Sequence, residues 1–400
     1  MDIDPRKRRR RVIFSRIRTA GPIARVDLAD ATEISQPTVT TITAELLRKG
    51  LIEEVVPEES VTARRGRPRI ALRVRSEAHR VVGLRLGDST LSAVLTDFAN
   101  TVLAERSVRT RGVAMGEAEV GEAVLDMVSG LAAEAGVPVA ALSALGIGLP
   151  GVVEAGSGEV LWSPVLSARR MPLAAVLEAR LGLPVFVDND ANLVAVAEKY
   201  YGAGRGVRNF LVATIEQGVG LGIVIDDEVY RGARGFASEF GHIKVEPDGA
   251  LCRCGQRGCL EAYVADYALL REARGLPAFA EIGTAEETLA RLLEAARTGD
   301  TTARAIVGRA EKFFAIGLAN LITLFDPELI VLSGERMNSD YLVAEDVLRS
   351  VRKVLFPGDA PAPEIVVHRW GNTMWARGAA AHAIEGVAER IMAELDRDAA

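Results

Sequence analysis

All three cysteines of this 400-residue chain lie in one stretch, GHIKVEPDGALCRCGQRGCLEAY, which runs from residue 241 to 263 and also holds a histidine. A segment this short cannot bury a core of its own, so something other than packing has to close it. His242, Cys252, Cys254 and Cys259 offer one imidazole and three thiolates, the Cys₃His donor set of closed tetrahedral Zn²⁺ sites. A structural Zn²⁺ is therefore expected. Gly255 and Gly258 fall inside the loop, where tight turns need a residue that tolerates positive φ. The odd cysteine count argues against a disulfide framework.

At 49% hydrophobic and 26% charged residues, the composition is that of a soluble globular chain with room for two or three domains. No apolar run reaches the length of a membrane span. The opening MDIDPRKRRRR has no apolar segment behind its basic residues, so no secretory leader is expected and the cytoplasm is the expected location. Net charge is −6, but residues 1–75 hold 17 Lys and Arg against 10 Asp and Glu, net +7, which leaves −13 for the rest. That asymmetry predicts that the first segment meets a polyanion and the remainder does not.

Within residues 10–74 the apolar spacing predicts three helices and then two strands. Val12, Ile13, Ile17, Ile23 and Leu28 follow helical intervals with a break at Gly21-Pro22, and a short second helix runs over 25–32. Ser35 is a good N-cap for a third helix, Pro37 is tolerated in its first turn, and Val39, Ile42, Leu46 and Leu47 form its inward stripe. Gln36, Thr38, Thr40 and Thr41 then face outward near the helix start, where a recognition helix meets base edges in the major groove. Gly50 ends the helix, and residues 51–55 and 70–74 predict a β-hairpin, the wing of a winged helix-turn-helix domain spanning 1–75. Its tip carries Arg64, Arg65, Arg67 and Arg69 around Gly66 and Pro68, a fit for the narrow minor groove of A·T-rich DNA. The basic run 6–11 suits phosphate contacts or a disordered arm equally well. A double-stranded DNA operator is the expected partner.

Further along, apolar runs at 81–84, 91–95, 145–148, 184–187, 210–213 and 330–332 read as strands. Residues 118–135, 192–201 and 305–324 read as helices, and the alternation predicts α/β layers. The block Glu239-Phe240-Gly241-His242 is followed by CRCGQRGCLEAY and preceded by Asp188-Asn189-Asp190-Ala191-Asn192 and Gly146-Ile147-Gly148-Leu149-Pro150-Gly151. With these motifs the chain resembles the ROK family, which joins bacterial sugar kinases to sugar-responsive transcription factors. The resemblance implies an α/β, actin-like fold of the sugar-kinase and ribonuclease H-like kind, with two lobes and a cleft. The first lobe is expected at 76–200, rejoined by a C-terminal helix at about 376–400, and the second, with the metal motif, at 201–375.

Residue by residue, Asn189, Asp190, Glu239, His242 and Glu261 match the positions that hold the sugar in ROK kinases, and Asp190 matches the catalytic base. Fixed carboxylates and an amide suit a polyol, and such a site rejects ligands that leave its polar groups unpaired. His242 would serve twice, with one ring nitrogen on the metal and the other toward a sugar hydroxyl. Singly, Asp188 and Asp190 also suit helix capping, and Glu239 and Glu261 suit surface charge.

The phosphate loops depart from the family pattern. Where the family has D-x-G-G-T, this chain has Arg85-Leu86-Gly87-Asp88-Ser89, so Arg85 replaces the metal-side Asp and Asp88 the second Gly. An aspartate 4 Å from a phosphate charge costs about 4 kcal/mol at an effective dielectric near 20, roughly a thousandfold in affinity. Where the family has G-T-G-I-G-G-G, residues 216–222 read Glu-Gln-Gly-Val-Gly-Leu-Gly. Phosphoryl transfer relies on positioning and charge neutralisation, so no catalytic residue is expected. The expected function is a sugar-responsive DNA-binding regulator, a repressor of carbohydrate-utilisation genes that senses its sugar without phosphorylating it. It is expected to act as a homodimer or dimer of dimers, away from membranes. The alternative is an ATP-dependent, hexokinase- or glucokinase-like sugar kinase carrying a DNA-binding module.

Overall fold

A computed structural model describes residues 4–56, 70–235, 237–279, 283–334, 349–351, 363–368 and 373–397. The chain divides into two compact units, Met1–Gly206 with Asn372–Ala400, and Val207–Gly371. None of the described helices is long and apolar enough to cross a membrane.

The first unit opens with α1 (Pro5–Ala20), whose N-cap Asp4 accepts a hydrogen bond from the Arg6 backbone N–H at 2.9 Å. After β1 (Ile23–Ala24) come α2 (Arg25–Thr32) and α3 (Gln36–Arg48), then β2 (Ile52–Val55) and β3 (Ala71–Val74). Strands β2 and β3 pair antiparallel with Ile52 opposite Val74, and β1 adds to β3. The hairpin predicted for 51–74 is thus present, while Arg64, Arg65, Arg67 and Arg69 lie outside the described residues. On α3, Val39, Ile42 and Leu46 are buried, as their spacing predicts, and Leu47 is half-buried.

The basic run 6–11 is neither a disordered arm nor wholly a set of phosphate contacts, because it forms the first turns of α1. Arg10 is 1% exposed, and its Nε donates to Glu45 Oε2 at 2.8 Å. Arg6 Nη2 donates to the other Glu45 oxygen at 2.6 Å, and Arg11 pairs with Glu389 at 2.8 Å. Helical spacing explains the placement: Arg10, Phe14, Ile17 and Arg18 share the stripe that faces inward.

The remainder of this unit is a five-stranded sheet built from β4 (Arg80–Leu86), β5 (Thr90–Asp97), β6 (Val102–Arg109), β7 (Ala144–Leu149) and β10 (Val185–Asn189). Between β7 and β10 lies the hairpin β8 (Val152–Glu154) and β9 (Glu159–Trp162). The sheet order is β10-β7-β4-β5-β6, with β10, β7 and β4 parallel and β4, β5 and β6 antiparallel. One face packs on α4 (Glu117–Glu134) and α5 (Leu173–Leu181) through Val82, Leu84, Val124, Leu131 and Leu177. The other face meets the C-terminal helix, α11 in chain order (Met374–Arg397). There the helix comes so close that a Cβ at Gly83 or Gly146 would overlap the carbonyl oxygens of Ala376 and Ala379. The same core runs without a break into the N-terminal helices: Ile13, Phe14, Ile17 and Leu46 cluster with Val81, Phe98, Ala380 and Ile384. Burial on both faces explains the near-continuous apolar composition of β4 and β7.

In chain order α6 (Asp190–Tyr201) ends the first stretch of this unit. The second unit repeats the sheet topology. Strands β11 (Phe210–Ile215), β12 (Val219–Ile225) and β13 (Glu228–Val229) form an antiparallel meander; β14 (Leu329–Ser333) pairs in parallel with β11, and β15 (Glu364–Val367) in parallel with β14. In both units the strands stand in the order third, second, first, fourth, fifth. This repeated α/β topology is what the expected actin-like duplication requires. Helices α7 (Glu261–Val264), α8 (Asp266–Arg274), α9 (Ala285–Thr298) and α10 (Thr301–Phe325) complete the unit, with Phe240, Leu260, Phe314 and Leu318 packed on the sheet.

Candidate functional site

The metal motif hangs from the second unit's sheet between β13 and α7. Phe240–His242 forms one turn of 3₁₀ helix, and isolated bridges between Lys244 and Cys259 and between Leu251 and Arg257 pin the loop's two arms together. Gly255 and Gly258 have φ of 86° and 75°, as expected for the turns they make. Gly258 also admits no side chain, since a Cβ would overlap the Glu246 carbonyl oxygen.

The ligand atoms of His242, Cys252, Cys254 and Cys259 lie within 4.8 Å of one another. His242 Nδ1 is 3.7 Å from Cys252 Sγ, and the Cys254 and Cys259 sulfurs are 3.7 Å apart. A tetrahedron with bonds of about 2.3 Å has edges of about 3.8 Å, so the four donors fit a metal ion. Hydrogen bonding to the Cys252 sulfur raises the His242 imidazole to about 9. Burial opposes ionisation of Cys252, but the bond to His242 and others bring that thiol down to about 7. Burial pushes Cys254 up to about 11. Bound to a metal, the sulfurs would be thiolates and those protons would be released.

Two supporting residues escaped the sequence reading. Lys244 Nζ donates to Cys259 Sγ at 2.9 Å, and Tyr267 OH contacts both Cys252 Sγ at 3.5 Å and Glu261 Oε1 at 3.4 Å. Lys244 sits two positions from the motif histidine, a signal visible only once the loop's two arms are known to pair. Of the predicted sugar residues, Glu239, His242 and Glu261 come together here. His242 Nε2, the other ring nitrogen, is 3.8 Å from Glu239 Oε2. Glu261 Oε2 accepts from the Val219 N–H at 3.3 Å, at the foot of β12.

Asn189 and Asp190 belong to the first unit and stand where β10 turns into α6. Asn189 caps that helix: its Oδ1 accepts from Ala191 N at 2.8 Å and Asn192 N at 3.4 Å, and its Nδ2 donates to the Gly151 carbonyl at 2.8 Å. The cap role that Asp188 and Asp190 suited thus falls to Asn189, and one N–H of its amide remains to donate. Asp188, 1% exposed, instead accepts from Asn189 N and Asn192 Nδ2.

Asp190 Oδ2 lies 3.9 Å from Arg85 Nη2, with both side chains less than a fifth exposed. The Arg85 guanidinium is stacked 3.9 Å over the Trp375 ring. Burial pushes the Asp190 carboxyl above its ordinary value, and Arg85 works against that rise. The sequence marks Arg85 only as a missing aspartate, whereas the structure makes it a partner of Asp190.

The outward face of α3 is as its spacing predicts. Gln36, Thr40 and Thr41 are exposed and Thr38 is half-buried. The Thr40 and Thr41 hydroxyls donate to the carbonyls four residues back, and Ser35 Oγ bonds Thr38 Oγ1 at 2.9 Å rather than capping the backbone.

A sequence profile described as the ROK family matches residues 81–385. A putative xylose repressor of Caldicellulosiruptor sp. (strain Rt8B.4) is 32% identical over 84% of this chain and 84% of its own length. Among solved structures, a ROK family transcriptional regulator described as a homolog of the E. coli MLC protein superposes with a TM-score of 0.78. It is 26% identical and covers 98% of each chain. A ROK family glucokinase from Streptomyces griseus, solved with glucose and AMPPNP, superposes with a TM-score of 0.65 at 32% identity. It covers 76% of this chain and 99% of its own.

Proposed function

Since the chain belongs to the ROK family, we propose that it is a sugar-responsive DNA-binding transcriptional regulator, a repressor that senses a sugar without phosphorylating it. The observation that carries this is the N-terminal segment. A kinase of the family matches almost end to end and still leaves about a quarter of this chain over, whereas a regulator matches both chains throughout. That segment bears the +7 charge and the Gln36, Thr38, Thr40 and Thr41 edge of α3, which we assign to the major groove as a winged helix-turn-helix. Arg64, Arg65, Arg67 and Arg69 are assigned to the minor groove. Two copies of the chain would place two such helices on a two-fold operator, as a homodimer or a dimer of dimers in the cytoplasm.

Asn189 and Asp190 in the first unit, and Glu239, His242 and Glu261 in the second, are the proposed sugar contacts. His242, Cys252, Cys254 and Cys259 are assigned to a structural Zn²⁺, whose part is to fix the His242 ring so that Nε2 faces a hydroxyl. The Arg85 pairing supports a sensor over an enzyme. A guanidinium beside Asp190 holds the carboxylate as a hydrogen-bond acceptor, and Arg85 with Asp88 and Glu216 replaces what a kinase of the family uses for Mg²⁺ and phosphate. The kinase alternative draws on the retained Asp190 and the glucokinase likeness.

Mobility shift with DNA from upstream of the protein's own gene, titrated with D-xylose, D-glucose and N-acetyl-D-glucosamine, tests the proposal. DNA affinity should move severalfold or more with one of these sugars, as expected for a coupling of about 1–3 kcal/mol. DNA binding that ignores all of them would refute the sensor assignment.

A further inference from the structure

We propose that Arg18 is the positioning residue through which the Asp190 end of α6 sets the reading helix α3. The proposal rests on the regulator reading above for the roles of the two ends, and goes beyond it by naming the path between them.

Helix α6 is 12 residues long, about 18 Å at 1.5 Å per residue. Asn189 and Asp190 stand at its start, Tyr200 and Tyr201 at its end, and every residue from Ala191 to Tyr200 is buried. Its packing leaves no slack. A Cβ on Gly378 of α11 would overlap the Leu193 carbonyl, and one on Gly148 of β7 would lie 2.7 Å from Leu193 Cδ1. An element packed this densely shifts as a body rather than bending, so a displacement at Asp190 reappears at Tyr200 and Tyr201.

Arg18, in the last turn of α1, receives it there. Its guanidinium stacks 3.8 Å over the Tyr200 ring, Nη2 donates to Tyr201 OH at 2.6 Å, and Nη1 donates to the Ala381 carbonyl at 3.1 Å. Tyr200 OH in turn donates to Glu385 of α11 at 2.5 Å and lies 3.3 Å from Ser15 Oγ of α1. About two and three turns back along α1, Arg10 and Arg6 respectively hold Glu45 of α3. The route therefore has two guanidinium junctions joined by one rigid helix. A planar fork that stacks and donates in fixed directions transmits orientation as an apolar contact would not. A buried polar junction also has few acceptable geometries, because misalignment leaves its groups unpaired.

Hydrogen exchange on the full-length protein tests the route, with D-xylose, D-glucose and N-acetyl-D-glucosamine as separate probes. At least one sugar should slow the amides of the first turn of α6 and change the exchange of α3 by about fivefold or more, the lower end of ordinary allosteric coupling. In Arg18→Met the α6 effect should persist while the sugar-dependent change in α3 is lost. Tyr201→Phe keeps the ring and removes only the 2.6 Å bond, so it should fold and lose part of the α3 response. A purely structural Arg18 would raise α3 exchange with and without sugar and leave their ratio intact. That result, or an undiminished response in Tyr201→Phe, overturns the route. Absence of any sugar effect at α6 in the wild type instead overturns the sensor reading, and the route with it.

Discussion

Replacing Glu45 by alanine asks whether the N-terminal basic run is part of the fold. Glu45 bridges two arginines, and of these Arg10 is 1% exposed while the Arg6 side chain is half-exposed. Removing one partner of a buried ion pair costs about 3–5 kcal/mol, and an exposed pair contributes about 1 kcal/mol or less. Arg10 keeps further interactions, so the lower end, about 3 kcal/mol, is expected. At about 2–4 °C per kcal/mol for a unit of this size, the melting temperature should fall by about 6–12 °C. Arg8→Ala, at an exposed position of the same run, should stay within about 0.5 kcal/mol. The effect also has a pH signature. Burial alone would raise the Glu45 carboxyl, but its bonds to Arg10 and Arg6 outweigh burial and hold it below the ordinary 4.5. A depressed value in the folded state means that the contribution is complete above the unfolded value and is lost as pH falls through the folded one. Wild type and Glu45→Ala should therefore melt well apart at pH 7 and converge as pH falls through the depressed Glu45 value. Thermal unfolding across that range measures both, and a Glu45→Ala protein as stable as wild type at pH 7 would refute the reasoning.

Metal analysis should find one Zn²⁺ per chain, and Cys254→Ser should lose both the metal and the sugar response. A full sugar response without metal would break the proposed link through His242. Zinc retention should also decline on acidification, because the ligands must be thiolates. Gly83→Ala sets a Cβ against the Ala376 backbone, and overpacking of this kind costs about 1–3 kcal/mol or more. A lower urea midpoint is the expected result, and an unchanged one would contradict the close approach of α11 to the sheet.

What the sequence disclosed, and what it hid, follow from chemistry at particular positions. The metal cluster was legible because cysteine and histidine rarely gather for any other reason, and α3 because Val39, Ile42 and Leu46 keep helical spacing. Helix α11 was only inferred by resemblance. Its inward face is largely Ala376, Ala379, Ala380 and Ala383, residues small enough for Gly83 and Gly146 to approach and therefore weak as a hydrophobic signal. Strand β6 is exposed along most of its length and has no alternation to detect. Strand β12 is rich in glycine and resembled a phosphate loop, yet from Val219 onward it is a regular strand paired with β11. Arg10, Arg18 and Arg85 were hidden by their charge, since an arginine reads as solvated until its carboxylate or aromatic partner is placed beside it.

The central claim is that this chain holds a sugar and leaves it unphosphorylated. The most direct measurement incubates the full-length protein with ATP, Mg²⁺ and D-xylose, D-glucose or N-acetyl-D-glucosamine, following sugar phosphate and, in parallel, the melting temperature. The account predicts that one of these sugars raises the melting temperature, as a ligand of the folded state must, while no sugar phosphate forms above the protein-free blank. Turnover in the ordinary enzymatic range, about 1–10³ s⁻¹, would contradict it.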